Sequence, residues 1–308
     1  KKYKQRYLKM FKNVLIIGCG MIGSSILRGV ISQKLCKKAY VYEKNIKYQK
    51  QIKKINKKII LIKKLDKKIK NMDLIVISTP MSEYQKIIIK LNKNLNNKTL
   101  ITDVGSTRGN VAKLIKEKLS KKLNWVMSHP ISGSEASGPK YGSKNLFKNK
   151  WCILIKSKKN KLLENKLSRF WKKLGSRILF MKEQEHDKIF AVTSHLPHLV
   201  AYNLIKTAQD FQKTHKKNII KYSAGGLRDS SRLAASNEIM WRDVFFNNSK
   251  NISKIIDLFI RNLKNFKMDI NKKRNSLLLD KLKKSKKVRQ QILLLRQDIS
   301  KPDFGREN

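Results

Sequence analysis

A glycine-rich turn between an apolar run and a helical pattern constrains the fold of this chain more than any other feature. Residues 13–17 (NVLII) form a continuous apolar run, as expected for a strand buried on both faces of a parallel sheet. The run continues into GCGMIG at residues 18–23 and then into a helical pattern. A GxGxxG motif in this context is the dinucleotide-binding fingerprint of the Rossmann fold. A glycine turn in another kind of α/β protein is the alternative.

Each glycine of the motif has a separate physical role. Gly18 permits the tight turn, Gly20 lets the backbone approach a pyrophosphate, and Gly23 lets the helix pack closely on the strand. The first N–H groups of the helix then face the phosphates. We therefore expect the whole turn to bind the cofactor, namely Gly18, Cys19, Gly20, Met21, Ile22 and Gly23.

An acidic residue at the end of the next apolar run indicates which dinucleotide binds. Residues 39–42 form this second predicted strand, and Glu43 follows it, twenty residues after Gly23. A carboxylate at this spacing binds the ribose hydroxyls and repels a 2′-phosphate, which favours NAD over NADP. The positive charge of the adjacent Lys44 works against that preference.

Polar residues follow three further predicted strands, at residues 73–78, 99–104 and 125–128. They are Ser78, Thr79 and Pro80 after the first strand, Ser106 after the second and His129 in the loop after the third. Because the carboxyl ends of parallel strands line one crevice, we expect all of them there, with Ser78, Thr79 and Pro80 beside the cofactor. His129 is the candidate general base, since an unperturbed imidazole titrates near pH ~6.5. A histidine that satisfies a turn is the alternative, and for Ser106 the alternative is a helix N-cap, the commoner role of a serine at such a position.

The strand pattern stops near residue 182, and the rest of the chain has helical periodicity. We therefore predict an α/β Rossmann domain with a doubly wound, mostly parallel sheet at residues 1–181, followed by an all-helical domain at residues 182–308. His195 and His198 share a helix face on either side of Pro197, and we expect hydrogen bonding there rather than metal binding. Arg232 suits carboxylate recognition, with a surface ion-pair patch as the alternative. The long amphipathic helices near the end are typical of packing or dimerisation.

The composition limits the classes of function. The net charge of the 308 residues is +51, but the lysines are spread over the whole chain, which favours a solvated basic surface over a specific nucleic-acid site. We see no apolar run near the ~18 residues of a membrane span and no signal-peptide core. Cys19, Cys36 and Cys152 lack metal-binding spacing, so we expect reduced thiols, no metal and a cytoplasmic protein.

Several motifs together resemble the prephenate/arogenate dehydrogenase family of tyrosine biosynthesis. In chain order they read GCGMIGSS, STP, DVGS, SHPISGSE, TSHLPH, GGLRDSSRLA and MWRD, and the resemblance spans roughly residues 12–270. It implies a Rossmann domain, a helical dimerisation domain, a homodimer and NAD-dependent oxidative decarboxylation of prephenate or arogenate. Nothing in the motifs selects between these two small anionic substrates.

The resemblance also implies roles for individual residues. His129 takes the proton of the substrate's 4-hydroxyl, Ser106 orients this histidine and the hydroxyl, and Arg232 binds a substrate carboxylate. His198 is the implied second substrate-contacting histidine, Glu135 and Asp229 a gating acidic pair at the pocket mouth, and Trp241 an aromatic residue from the partner subunit. Ser134 directly precedes Glu135 in the same motif, and we expect it to bind the substrate as well.

Two departures and three rival functions complete the sequence-based interpretation. Thr107 and Arg108 replace the valine and lysine common in the family, which leaves the role of Arg108 open, and we expect no regulatory ACT domain. We therefore expect any feedback by tyrosine to act at the active site. The rivals are another NAD(P) oxidoreductase with a Rossmann and a helical domain, such as one resembling 3-hydroxyacid dehydrogenases, a nucleic-acid-binding protein, and an inactive NAD-binding scaffold.

Overall fold

The computed structural model describes residues 9–133, 135–156 and 160–295. Within these residues the strands are β1 (Phe11–Ile17), β2 (Cys36–Tyr42), β3 (Ile60–Leu61), β4 (Leu74–Ile77), β5 (Leu100–Asp103), β6 (Asn124–Trp125), β7 (Ser128–Pro130), β8 (Trp151–Ile155) and β9 (Arg177–Met181). The α-helices are α1 (Met21–Ser32), α2 (Ile46–Ile55), α3 (Tyr84–Asn94), α4 (Gly109–Lys118), α5 (Lys161–Lys173), α6 (Glu183–Phe190), α7 (Leu196–His215), α8 (Gly225–Ala234), α9 (Glu238–Asn247), α10 (Ser249–Asn271) and α11 (Asn275–Leu294).

Six strands form a parallel sheet in the order β3-β2-β1-β4-β5-β6. Both faces are covered, because Val14 and Ile16 of β1 pack with α1 and α5, while Leu15 and Ile17 pack with α3 and α9. The order of the strands reverses between β1 and β4, and ligands of such sheets bind in the crevice at this switch point. The structure thus confirms the predicted Rossmann architecture and places the glycine turn at its crevice.

The expected strand at residues 125–128 is wrong, because the chain changes sheets within it. The Val126 N–H still donates to Ile101 of the main sheet, but the carbonyl oxygen of Met127 accepts from Ile155 in β8. β7 then pairs antiparallel with β8, and β8 pairs parallel with β9. His129 consequently lies within a strand, and its position is determined by backbone pairing with Ile153 rather than by a loop.

Helices make up the described chain after Met181, as predicted. A π-helical turn, Ala191–His195, separates α6 from α7, so Pro197 lies in the first turn of α7 and does not kink the helix interior. None of the helices in the described ranges is long and apolar enough to cross a bilayer. We propose the domain boundary at residues 181 and 182, where the last strand ends and α6 begins.

Candidate active site

The glycine turn forms a tight cradle at the end of β1. Gly18 has a φ of +79°, which favours glycine, and its N–H donates to the carbonyl oxygen of Tyr42 at 2.9 Å. A side chain on Gly23 would overlap the Gly18 carbonyl oxygen and the Ser78 hydroxyl. Gly20, in contrast, has no neighbouring atom within 4 Å of its missing Cβ, so its surface is open to a ligand. The motif therefore builds the cradle and leaves one side of it accessible.

Glu43 is held next to this cradle by backbone hydrogen bonds. One carboxylate oxygen accepts from the Cys19 N–H at 2.8 Å, and the other accepts from the Asn45 N–H at 2.9 Å. The ammonium of Lys44 lies 2.7 Å from the carboxylate of Glu83, which partly neutralises its charge. This exposed ion pair adds little to the stability of the fold, but it reduces the attraction of Lys44 for a 2′-phosphate.

The residues after β4 face the same cradle. The Ser78 hydroxyl donates to the Gly18 carbonyl oxygen at 2.5 Å, which joins the ends of β1 and β4. The Thr79 hydroxyl is buried and has no hydrogen-bond partner in the described part of the chain, and Pro80 follows at the surface. An open cradle, a positioned carboxylate and an unsatisfied buried hydroxyl together fit a dinucleotide.

His129 belongs to a chain of hydrogen-bonded side chains that ends at Asp187. Its Nδ1 lies 2.8 Å from Nε2 of His186, and Nδ1 of His186 lies 2.9 Å from the Asp187 carboxylate. The carboxylate is an acceptor, so His186 carries its proton on Nδ1 and accepts at Nε2. His129 must then carry its proton on Nδ1, which leaves the lone pair of its Nε2 free to accept a proton from a ligand.

The surroundings of His129 favour the neutral base. Burial, followed by the nearby His186 and Arg108, lowers the pKa of His129 well below its usual range. The ring also packs against Phe190, with ring centroids 5.1 Å apart. His129 is therefore unprotonated at neutral pH, as a general base requires.

The sequence left the role of Arg108 open, and the structure shows that Arg108 supports the chain of hydrogen bonds from His129 to Asp187. Its guanidinium is fully buried and lies 2.7 Å from the equally buried Asp103 carboxylate. It also donates to the carbonyl oxygen of Ser128 at 3.1 Å, directly before His129. Its backbone N–H donates to Asp187 at 2.8 Å. Removing one partner of such a buried pair costs about 3–5 kcal/mol, so we regard Arg108 as a residue that holds the site together.

Ser106 does not cap a helix. α4 begins at Gly109, and the Asp187 carboxylate, from a distant part of the chain, accepts the N–H groups of Arg108 and Gly109. The Ser106 side chain is half-buried, and within the described residues its hydroxyl forms no hydrogen bond to His129. The N-cap alternative is thus wrong, and the hydroxyl is uncommitted.

The predicted substrate residues meet between β7, α7, α8 and α9. Arg232 lies 3.5 Å from the carboxylate of Glu135, and both are about one-third exposed. Asp229 is exposed and forms no ion pair with a described residue, so Arg232 rather than Asp229 is the close neighbour of Glu135. Ser134 lies outside the described residues.

Trp241 differs from the expectation that it reaches a partner's site. It is only 6% exposed within its own chain, where it belongs to the apolar core below the sheet. Its ring stacks on His198 with centroids 3.8 Å apart. Within its own chain Trp241 therefore lies beside His198, and its contact with a partner's site stays a prediction.

Sequence reasoning missed His186 and Asp187. Their signal was the dipeptide His-Asp within the first helix after the last strand, but 57 residues separate His186 from His129 and no periodicity connects them. In the described ranges, no group of three or more His, Cys, Asp or Glu side chains is arranged to hold a metal ion.

Comparison with known proteins agrees with this geometry. Sequence models of the prephenate dehydrogenase nucleotide-binding domain and the prephenate dehydrogenase dimerization domain match residues 29–180 and 182–284. The chain belongs to the prephenate dehydrogenase family. The first match begins after the glycine turn, so the assignment of that turn rests on its own geometry.

Individual relatives cover nearly the whole chain. The cyclohexadienyl dehydrogenase of Zymomonas mobilis is 29% identical, with 92% of this chain and 96% of that protein aligned. The prephenate dehydrogenase of Lactococcus lactis is 30% identical, with 91% and 77% aligned. The crystal structure of prephenate dehydrogenase from Aquifex aeolicus, in complex with hydroxyphenyl propionate and NAD+, superposes with a TM-score of 0.85 at 32% identity, covering 93% of this chain and 100% of that one.

Alanine substitutions at Gly23 and Gly20 distinguish a glycine that the turn needs in order to fold from a glycine that the turn needs in order to bind NAD+. Gly23→Ala forces the turn apart, so we expect a lower Tm and a Kd for NAD+ raised by at least ~10-fold, a loss of about 1.4 kcal/mol. Gly20→Ala meets no atom, so its Tm stays at the wild-type value while the Kd rises similarly, because the methyl group blocks the pyrophosphate. Calorimetric titration with NAD+ and thermal denaturation measure both.

Gly226→Ala on α8, which also meets no atom, is the matched control: the Kd for NAD+ should stay unchanged and the Tm should not fall, because alanine favours a helix over glycine. Unchanged NAD+ affinity in Gly20→Ala would contradict the position assigned to the pyrophosphate.

Proposed function

We propose that this chain catalyses the NAD-dependent oxidative decarboxylation of prephenate, arogenate or both. The observation that carries the proposal is the His129–His186–Asp187 chain beside a dinucleotide cradle, in a member of the prephenate dehydrogenase family. The products are 4-hydroxyphenylpyruvate from prephenate and tyrosine from arogenate. Both substrates are small anions, which suits the basic chain.

The cofactor site is assigned to the glycine turn, Glu43 and the residues after β4. Gly18, Gly20 and Gly23 provide the surface for the pyrophosphate, and Glu43 is positioned for the ribose hydroxyls. When bound, NAD+ supplies the acceptor for the hydride of the ring carbon that bears the hydroxyl. Binding of the cofactor through Glu43 favours NAD over NADP, because Glu43 repels a 2′-phosphate and Glu83 holds Lys44.

His129 is the proposed general base. Its Nε2 accepts the proton of the substrate hydroxyl as the ring carbon is oxidised, and Asp187 stabilises the positive charge through His186. The ring carboxylate then leaves as carbon dioxide, its bonding electrons enter the ring, the ring becomes aromatic, and the former hydroxyl oxygen takes a proton back from His129. We propose that the uncommitted Ser106 hydroxyl orients the substrate hydroxyl toward His129.

The substrate side chain is assigned to the region of Arg232. Its guanidinium binds the side-chain carboxylate, with Glu135 and Asp229 near the entrance and Ser134 in the same loop. His198 and Trp241 form the adjacent wall, and their stacked rings restrict the space for the keto or amino group. This arrangement is compatible with both substrates.

We propose that the chain forms a homodimer through its C-terminal helices. The matching domain model describes a dimerization domain, and these helices expose many apolar side chains: Leu204, Phe211, Phe246, Leu258, Ile260, Leu263, Ile270, Leu277, Leu282, Val288 and Leu294. An exposed apolar surface of this extent is typical of an interface. Sedimentation velocity should give twice the mass of one chain, and a single-chain mass at micromolar concentration would contradict the proposal.

The reaction is tested by absorbance at 340 nm, where NADH absorbs. Purified protein is mixed with NAD+ and either prephenate or arogenate, and we expect NADH to form with at least one of them. Parallel wells with NADP+ should react more slowly, because Glu43 opposes the 2′-phosphate. No NADH in either well, with NAD+ binding intact, would overturn the proposed reaction while leaving the cofactor site in place.

Asp187→Asn tests the chain of hydrogen bonds behind His129. The amide cannot accept every donor that the carboxylate accepts, so His186 and His129 lose their defined tautomers, and kcat should fall by ~10²–10⁴-fold, as in other histidine–aspartate pairs. His129→Ala should lose at least as much. Steady-state kinetics measure both, and Asp210→Asn, at an exposed carboxylate on α7, is the matched control with unchanged kcat.

The pH profile of the wild-type enzyme provides an independent measurement. The pKa of His129 is lowered, so the base stays active below the ordinary imidazole pKa of ~6.5 and kcat/KM declines only as the pH falls through the depressed value. An acidic limb centred above pH ~6.5 would contradict the surroundings assigned to His129.

A further inference from the structure

His195 is a buried histidine to which the proposed mechanism assigns no role. It is the last residue of the π-helical turn and is 1% exposed. π-helical turns are frequent at functional sites, where they change the direction of a side chain. The ring lies edge-on to Trp241, with centroids 6.2 Å apart.

The side chain of Asn248 determines which nitrogen of His195 carries the proton. The Asn248 amide nitrogen lies 2.8 Å from the carbonyl oxygen of Asp187 and 3.1 Å from Nδ1 of His195, and its oxygen accepts from Asn251 at 2.7 Å. A carbonyl oxygen only accepts, so the atom facing it must be the NH₂ group. The second hydrogen of this group then points to His195, whose Nδ1 is an acceptor and whose proton is on Nε2.

This Nε2–H group has no acceptor in the described part of the chain. The same holds for the indole Nε1–H of Trp241, which is also buried. Buried donors of a native protein are almost always paired, and an unpaired one is costly. Burial lowers the pKa of His195 to about 4, so at neutral pH the ring is an uncharged donor. The Nε2–H group of His195 and the Nε1–H group of Trp241 are therefore two neutral donors available to an acceptor of a ligand.

His195 contacts groups from both ends of the proposed substrate site, and their electrostatic effects connect them. After burial, His186 and Arg108, His195 also contributes to the lowered pKa of His129. His198 in turn acts on His195, and Arg232 acts on His198. The contacts give the same position: Asn248 connects His195 to the Asp187 backbone on one side, and Trp241, which lies edge-on to His195, stacks on His198 on the other.

We propose, on the basis of the proposed function, that the Nε2–H of His195 binds the ring carboxylate of the substrate, with the Nε1–H of Trp241 beside it. The hydroxyl is assigned to His129 and the side-chain carboxylate to Arg232, so the ring carboxylate is the charged group of the substrate left without a partner. It is an acceptor, as the two donors require.

The neutrality of both donors suits a carboxylate that must lose its charge. During decarboxylation the bond from the ring carbon to the carboxylate breaks, its electron pair enters the oxidised ring, and neutral carbon dioxide departs. A cation at this position would stabilise the bound carboxylate more than the transition state and would slow the step. Neutral N–H groups also orient the carboxylate, but they stabilise its negative charge less than a cation does, so they slow the loss of carbon dioxide less.

The test compares ligands with and without the ring carboxylate. His195→Phe keeps a planar ring and removes the donor, so we expect the KM for prephenate to rise by ~10-fold or more, the loss of one hydrogen bond to a charged group. The inhibition constant of 4-hydroxyphenylpyruvate, which lacks the ring carboxylate, and the Kd of NAD+ should each change by less than ~2-fold. His195→Gln, whose amide nitrogen can occupy the position of Nε2, should recover much of the prephenate KM.

A second variant keeps the histidine and replaces the donor at its Nδ1, together with the hydrogen bond of that donor to the Asp187 carbonyl oxygen. In Asn248→Asp the carboxylate accepts from Nδ1–H, so Nε2 becomes an acceptor that repels the substrate, and the same selective loss is expected. This variant decides the question if His195→Phe fails to fold. His215→Phe, at an exposed histidine of α7, is the matched control and should match the wild type.

Each other outcome overturns the assignment. Equal losses of prephenate and 4-hydroxyphenylpyruvate binding would place His195 at the shared side chain, a weaker NAD+ affinity would place it at the cofactor, and an unchanged prephenate KM would exclude a substrate contact. If the wild type itself forms no NADH with prephenate or arogenate, the proposed function fails and this subsite fails with it. Wild-type turnover with unaltered variants overturns the carboxylate subsite alone.

Discussion

The rest of the site depends on the hydrogen bonds that the carboxylate and the backbone carbonyl of Asp187 accept. It accepts the first N–H groups of α4 and fixes the proton of His186, which in turn fixes that of His129. The backbone carbonyl of the same residue orients Asn248 and so determines the proton of His195. One residue at the start of the helical region therefore sets the donor and acceptor pattern of three histidines. Because imidazole nitrogens exchange these roles easily, such a fixed frame is what gives each ring one function.

A second buried group supports this frame from the side of the sheet. The Arg108 guanidinium connects Asp103 at the end of β5 with the carbonyl oxygen before His129, and its backbone N–H reaches Asp187. A buried charge pair is not by itself a source of stability, but it makes wrong arrangements costly. The main sheet, the small sheet and the first C-terminal helix are thereby held in one relative geometry, with the dinucleotide cradle on the neighbouring strands.

Local patterns predicted much of the fold and part of the site. The parallel strands follow from apolar runs, the cofactor cradle from glycine spacing, and the helical region from periodicity, because each depends on neighbours within a few residues. The prediction failed at residues 125–128, where the chain leaves one sheet for another, and at Ser106, which caps no helix. In both places the partner lies far along the chain, so no local pattern indicated it.

By itself, the sequence determined the fold class, the family and the presence of His129, Arg232 and Glu43, since these are properties of residue types and short spacings. The tertiary structure alone decided what each polar group does. His129 meets His186 across 57 residues, and Arg108 meets Asp187 across 79. The tautomer of a buried histidine is set by the hydrogen-bond partner that folding brings to it, and such partners are specified by packing rather than by order along the chain.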